Sequence, residues 1–173
     1  KMSTFEVAIQ SVLAEEGELV VDPEDKGGAT KYGISFKWLK SLEDLPPELG
    51  LRLPMTLKTI EQLTESQAVW LYRHYFWDPH HYERILDQRI ATKVFSFTVN
   101  AGHKASHTAL QWALRASGNE AVLVDGVLGI QTLKAVNAAE AKVLLAALRS
   151  EMAGYYRRLH QPHFEMGWLK RAY

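Results

Sequence analysis

EGELVVDPEDKGGATKYGIS, residues 16–35, is the stretch on which the fold turns. Leu19–Val21 and Lys31–Ile34 are short candidates for extended chain. Between them, Asp22-Pro23 and Gly27-Gly28 are strong turn signals, so the stretch predicts a small, irregular β-hairpin. Upstream, Phe5, Ile9, Val12 and Leu13 recur at helical spacing, and Ser3 with Glu6 has the spacing of a capping box. This predicts a helix over residues 3–16, with Gly17 as its stop. The helix ends in Glu15 and Glu16, whose charges face the unfavourable end of the helix dipole. A local inconsistency of this kind often marks a functional site.

Downstream, Ser35 is placed to cap a helix over residues 36–44, and Pro46, Pro47 and Pro54 mark the loop after it. Thr64 and Gln67 repeat the capping-box spacing and open a helix of residues 65–76, with Pro79 just beyond. Apolar residues three and four apart predict further helices near 83–100, 105–117, 130–138 and 140–160. VDGVLG, residues 124–129, reads as a glycine-punctuated turn between two of them. The fold class is therefore mostly α, with one small hairpin.

The chain has 173 residues and no cysteine. It is long enough to bury a core without staples. The lack of cysteine excludes a disulfide scaffold, a Cys-ligated zinc site and a thiol nucleophile. The formal charge is zero, yet residues 1–90 sum to −5 and residues 91–173 to +5. That division fits a carboxylate-rich site in the first part and a surface for an anionic partner in the second. No apolar run approaches the roughly 20 residues that span a bilayer.

The carboxylates of residues 16–35 suggest acid–base chemistry. A Glu at a helix end, facing two Asp and a Thr on a hairpin, suits glycosidic bond cleavage. One carboxyl must arrive protonated to supply the leaving oxygen, while another group holds or activates the nucleophile. Glu16 follows Leu13 and sits in sequence beside Glu15, Glu18 and Asp22, which predicts an upward shift of its pKa. The competing reading is that Glu15 and Glu16 are solvated surface acids.

Three segments, EGEL, DPEDKGGAT and KYGIS, resemble the N-terminal motif of glycoside hydrolase family 108. Members of that family are bacterial and phage lysozymes that cleave peptidoglycan. Its pattern runs Glu-Gly-Gly-Tyr, then Asp-Pro-x-Asp-x-Gly-Gly-x-Thr, then a Gly-Ile-Thr-like end. LYRHYFWDP resembles the family's helix ending in aromatics. FSFTVNAG, LQWAL, VDGVLGIQTLKAVN and FEMGWLKRAY resemble the peptidoglycan-binding region that commonly follows. The resemblance runs from about residue 5 to residue 171. It implies a lysozyme-like helical fold with the hairpin at an active-site cleft. It also implies a hydrolase lobe over residues 2–94 and a helical peptidoglycan-binding-like lobe over residues 95–173, packed as one unit.

By this resemblance Glu16 takes the position of the catalytic glutamate. The chain departs from the pattern at Glu18 and Leu19, where the family has Gly and an aromatic. Asp25 and Asp22 compete for the second catalytic group. Asp25, with Thr30, follows a Glu–Asp–Thr order similar to that of several phage lysozymes, whereas Asp22 could instead cap the turn before Pro23. The implied activity is a muramidase that cuts the β-1,4 bond between N-acetylmuramic acid and N-acetylglucosamine. The rivals are a lytic transglycosylase and a non-catalytic wall-binding or secretion-associated protein. Fold alone does not choose among them.

Tyr32, Tyr75 and Trp77 are candidates to line a glycan cleft, because aromatics offer flat apolar surface to sugar rings. Core packing is the alternative for Trp77 and Tyr32. Trp38, Trp70 and Trp112 are expected in the core. Asn100 and His103 are expected in a loop near the cleft. Asp125, with the glycines of its turn, is expected either to cradle a peptide stem or merely to shape the turn. Seven histidines lack the spacing of a metal motif, so neither metal nor cofactor is implied.

The C-terminal basic segment, with Arg149, Arg157, Arg158, Lys170 and Arg171, is expected to meet anionic outer-membrane or wall polymers. Its charge is too scattered for nucleic acid. Bacterial peptidoglycan is the expected partner, and the protein is expected to be a monomer. KMSTFEVAIQ lacks the features of a signal peptide. The expectation is an endolysin-type enzyme of phage or prophage, made in the bacterial cytoplasm and acting at the wall after release.

Overall fold

The computed structural model describes residues 1–15, 18–21, 28–159 and 169–173. They form two units: Ile9–His74, and Lys1–Ala8 with Tyr75–Tyr173. Both are dominated by helix, and the only sheet among the described residues is small, so the mostly-α class holds. Among the described residues no helix is long and apolar enough to cross a membrane.

The unit of residues 9–74 holds most of helix α1 (Phe5–Glu15) and a three-stranded antiparallel sheet. Its strands are β1 (Val20–Val21), β2 (Ala29–Lys31) and β3 (Ile34–Ser35), in that spatial order. Val20 pairs with Thr30, and Thr30 pairs with Ser35. The sequence predicts one extended run over Lys31–Ile34, but the chain reverses there. Tyr32 and Gly33 both adopt positive φ, 52° and 78°. Two such residues make a tight turn whose twist matches the flanking strands. The Tyr72 hydroxyl donates to the Tyr32 carbonyl at 2.5 Å and holds this unusual backbone in place.

Ser35 does cap helix α2 (Phe36–Lys40), its hydroxyl accepting from the Trp38 amide at 3.1 Å. The helix stops at Lys40 rather than residue 44, because Ser41 turns both its amide and its hydroxyl back onto the last turn. Helix α3 (Leu57–Glu61) was not expected, since five residues are too few to show a period. The Thr64–Gln67 capping box is present at the start of α4 (Glu65–Tyr72). Gln67 also donates to the Leu49 carbonyl at 2.9 Å and anchors the proline-rich loop. Ile34, Leu39, Ile60, Leu63, Leu71 and Tyr72 are buried in this unit.

From α4 the chain runs through a π turn, Arg73–Trp77, and two 3-10 turns, Asp78–His80 and Tyr82–Arg84. Helices α5 (Gln88–Ala101), α6 (His103–Ala116), α7 (Ile130–Ala138) and α8 (Ala141–Arg158) follow. The helix expected from residue 83 begins five residues later, where Asp87 accepts from the amides of Arg89 and Ile90. In this unit α6 packs on both α5 and α8. Phe5, Trp77, Tyr82 and Phe95 meet edge to face at 5.5–5.9 Å, an arrangement that suits aromatic quadrupoles.

Ser3 does not cap α1. It is buried, its amide donates to the Glu83 carbonyl at 3.2 Å, and its hydroxyl donates to the Ile85 carbonyl. Tertiary acceptors have taken the side chain that local spacing reserved for the helix end. The side chain of Gln88 meets the Thr4 backbone on both its amide and its carbonyl.

Candidate functional site

Among the candidate catalytic residues, Glu16, Asp22 and Asp25 lie outside the described residues. Thr30 is described. It is the central residue of β2, half-buried, and paired on one side with Val20 and on the other with Ser35. A β-branched hydroxyl residue fits the middle of a short sheet and holds its Oγ in a restricted rotamer. Beside it Lys31 donates to the Glu61 carbonyl at 2.6 Å, and its ammonium lies 5.7 Å from the centre of the Tyr32 ring. Tyr32 is half-buried on the tight turn. On β1 and just before it, Leu19, Val20 and Val21 are all exposed, giving the sheet an apolar outer edge. Thr30, Tyr32 and this edge therefore belong to one small sheet.

The other candidates lie in the unit of residues 75–173. Tyr75 is half-buried in the π turn. Trp77 is 2% exposed and enclosed by Phe5, Tyr82 and Phe95, so its ring serves the core and offers no face to a sugar. Asn100 and His103 are exposed on either side of Gly102, whose φ of 88° separates α5 from α6. The expected loop there is a break of a single residue.

Asp125 supports the turn-shaping reading. Its carboxylate accepts from the Val127 amide and from Gln111 Nε2, both at 2.9 Å. These two bonds hold the carboxyl below its usual range, the Val127 amide contributing most. Gln111, fully buried on α6, completes the turn: its Oε1 accepts from the Asp125 and Gly126 amides at 3.0 and 2.8 Å. Its Nε2 also reaches the Val127 carbonyl and the Thr132 hydroxyl. Nothing in LQWAL distinguishes this glutamine from an ordinary helical one, so the sequence reading missed it.

A second buried polar chain was also missed. His107 Nδ1 lies 3.1 Å from the Gly126 carbonyl, and its Nε2 lies 2.7 Å from the Tyr82 hydroxyl. That hydroxyl is 2.6 Å from Thr98 Oγ1, which is 2.9 Å from the Val94 carbonyl. Both ends of the chain accept only. Four contacts need four protons, but a neutral imidazole and two hydroxyls bring three. Burial first, and then neighbouring His80, push the His107 pKa down to about 4, with His103 adding to the effect. His107 is therefore neutral at pH 7, with Nδ1–H facing Gly126. Tyr82 then donates to His107, and the Thr98 hydroxyl, which donates to the Val94 carbonyl at 2.9 Å, is shared between that carbonyl and Tyr82. Ser106 donates to the same carbonyl at 2.8 Å. His80 stacks on His103 at 5.0 Å between ring centres and meets His107 edge-on at 4.9 Å. Among the described residues no group of acids and histidines converges to hold a metal.

Trp112, expected in the core, is 48% exposed. It lines a cavity of about 430 Å³ together with Lys104, Thr108, Glu151, Tyr155 and Arg158, from α6 and α8.

Residues 9–102 match the family model described as Glycosyl hydrolase 108. Residues 105–173 match a second model, described as Predicted Peptidoglycan domain. Among solved structures, the chain is similar to Brucella abortus SagA, at 25% identity and a TM-score of 0.78. The similarity covers 97% of this chain and 88% of that one. No curated protein matches the chain.

Proposed function

The chain belongs to the glycosyl hydrolase 108 family, and from that membership we propose a muramidase with Glu16 as its general acid. It is a glycoside hydrolase of the lysozyme type, and peptidoglycan is its substrate class. The bond we assign is the β-1,4 link between N-acetylmuramic acid and N-acetylglucosamine. The observation that carries this reading is the span of the match, residues 9–102, which includes the whole motif from Glu16 to Thr30.

In the proposed reaction Glu16 delivers its proton to the glycosidic oxygen as the bond breaks. Asp25 or Asp22, with the Thr30 hydroxyl, positions the water or stabilises the oxocarbenium-like transition state. Thr30 suits that part because its place in β2 restricts its side chain. Tyr32 and the apolar edge at Leu19–Val21 would offer the sugars a surface. The hydrolase lobe through residue 94 and the peptidoglycan-binding-like lobe from residue 95 belong to the same proposal. So do a monomeric state, synthesis in the cytoplasm, and action at the wall after release.

Turbidity loss on purified peptidoglycan tests the acid. Glu16→Gln should lose about a hundredfold or more, the usual share of a general acid. Activity near that of the parent would overturn the role of Glu16. Asp25→Asn and Asp22→Asn, measured side by side, identify the second group as the one with the larger loss. A mass spectrum of the digest reads the chemistry. Reducing muramic acid ends support hydrolysis, and 1,6-anhydro ends would make the enzyme a lytic transglycosylase.

A further inference from the structure

The cavity between α6 and α8 has the size of a small-ligand cleft, which runs roughly from 300 to 1,000 Å³. Its surface is chemically mixed. Ala105 and Ala109 leave room at the helix pair, and Trp112 and Tyr155 supply aromatic surface. Lys104 and Arg158 bring positive charge and Glu151 negative charge, and Thr108 adds a hydroxyl. Arg115, over the Trp112 ring at 5.7 Å, adds a third cation. Among the described residues Lys104, Glu151 and Arg158 form no ion pair with one another.

A glycine lies beside each of the two cations that line the cavity. A methyl group on Gly126 would stand 3.2 Å from Lys104 Cγ and 3.4 Å from Thr108 Oγ1. The bare backbone there lets both side chains lie down beside the turn, and φ of 77° disfavours any other residue. A methyl group on Gly154 would stand 3.4 Å from a guanidinium nitrogen of Arg158. Arg158 is thus folded back along α8 beside the cavity.

We propose that this cavity binds the peptide stem of peptidoglycan, taking its free carboxylates on Lys104 and Arg158 and its ammonium group on Glu151. The proposal rests on the reading of the chain as a peptidoglycan hydrolase. Charge complementarity selects this occupant. A bare glycan is neutral and leaves all four charges unused. A phosphate polymer meets repulsion from Glu151. A stem peptide carries several carboxylates, one ammonium and small apolar side chains, and so matches a surface of three cations, one carboxylate, alanines and an indole.

The test uses the full chain labelled with nitrogen-15. The indole N–H signal of Trp112 is identified by its loss in Trp112→Phe. Two probes are titrated separately: the N-acetylated tetrapeptide N-acetyl-L-Ala–γ-D-Glu–meso-diaminopimelate–D-Ala, which carries one ammonium, and the uncharged tetramer of N-acetylglucosamine. The tetrapeptide should shift the Trp112 signal. Lys104→Glu and Arg158→Glu should each weaken that binding by about tenfold. Lys104→Arg should retain it, which separates lost charge from lost folding. No shift with the tetrapeptide, a shift with the glycan alone, or a Trp112 signal that moves only with protein concentration would each overturn the proposal. The last would make the cavity a contact between two copies. Glu16→Gln should bind the tetrapeptide like the parent. A parent chain that binds the tetrapeptide but releases no muropeptides from peptidoglycan would count against the muramidase reading. Retained hydrolysis without peptide binding would count against this one.

Discussion

At the scale of single residues, the buried chain from Gly126 to Val94 makes a definite statement about acid. His107 is neutral in the folded protein because burial and His80 lower its pKa to about 4. An unfolded chain would titrate it near 6.5. The unfolded state therefore takes up the proton first as pH falls. The stability tied to neutral His107 is complete above about pH 6.5 and is lost progressively down to about pH 4. The span corresponds to a loss of about 3 kcal/mol. Urea midpoints of the parent should fall between pH 7 and pH 4.5, and those of His107→Gln should fall less. Equal slopes would mean that the imidazole is not held neutral. Tyr82→Phe removes the middle of the chain and leaves His107 Nε2 buried without its donor. It should cost about 1–3 kcal/mol at pH 7, read by the same unfolding curves.

At the scale of elements, helix starts show what local sequence can and cannot say. Ser35 and Thr64 cap as their spacing predicts, because both are exposed enough to face only their own helix. Ser3 has the same spacing and does not cap, because the Ile85 and Glu83 carbonyls lie closer to hand. Asp87 is the unforeseen cap of α5, masked in the sequence by apolar residues that continue the helical period back to 83. Asp87→Ala should cost about 1 kcal/mol in denaturant unfolding at pH 7. Its carboxyl sits below the usual range, chiefly through the Arg89 guanidinium, with the Ile90 amide helping. That contribution is present above the unfolded pKa and fades as pH falls through the lowered one. The cost of Asp87→Ala should therefore shrink toward pH 3, and a constant cost would assign the effect to helix propensity alone. The longer helices, the presence of a small antiparallel sheet and the family motif of residues 16–35 were legible because each is written in a local period or motif, whereas the short α3 and the turn at Tyr32 and Gly33 were not. Nor were Trp77 and Trp112. Whether an indole faces the core or the solvent depends on partners such as Phe5 and Phe95 that arrive from distant sequence. Gln111 and the His107 chain were hidden for the same reason, since one-letter patterns carry no record of long-range hydrogen bonds.

At the scale of the whole molecule, the zero net charge conceals a sum of −5 over residues 1–90 and +5 over residues 91–173. The positive excess serves two proposed purposes, and they can be separated. Arg158 lines the α6–α8 cavity, where a specific peptide would be held at short range. Arg157 and Lys170 are exposed and outside the lining of that cavity, so in the proposed contact with anionic polymers they would act only through the field near the basic segment. A field of that kind attracts anionic surfaces at about 1 kcal/mol per charge and decays within roughly 10 Å at 0.1 M salt. Neutralising both as Arg157→Gln and Lys170→Gln should weaken retention on vesicles rich in anionic lipid by about thirtyfold at low salt. The difference from the parent should vanish near 1 M salt, where screening reaches about 3 Å. The same double variant should leave the tetrapeptide-induced shift of Trp112 unchanged. Unaltered vesicle retention would leave the charge division without a role at anionic surfaces. Loss of the Trp112 response together with retention would place Arg157 and Lys170 inside the peptide site rather than beside it.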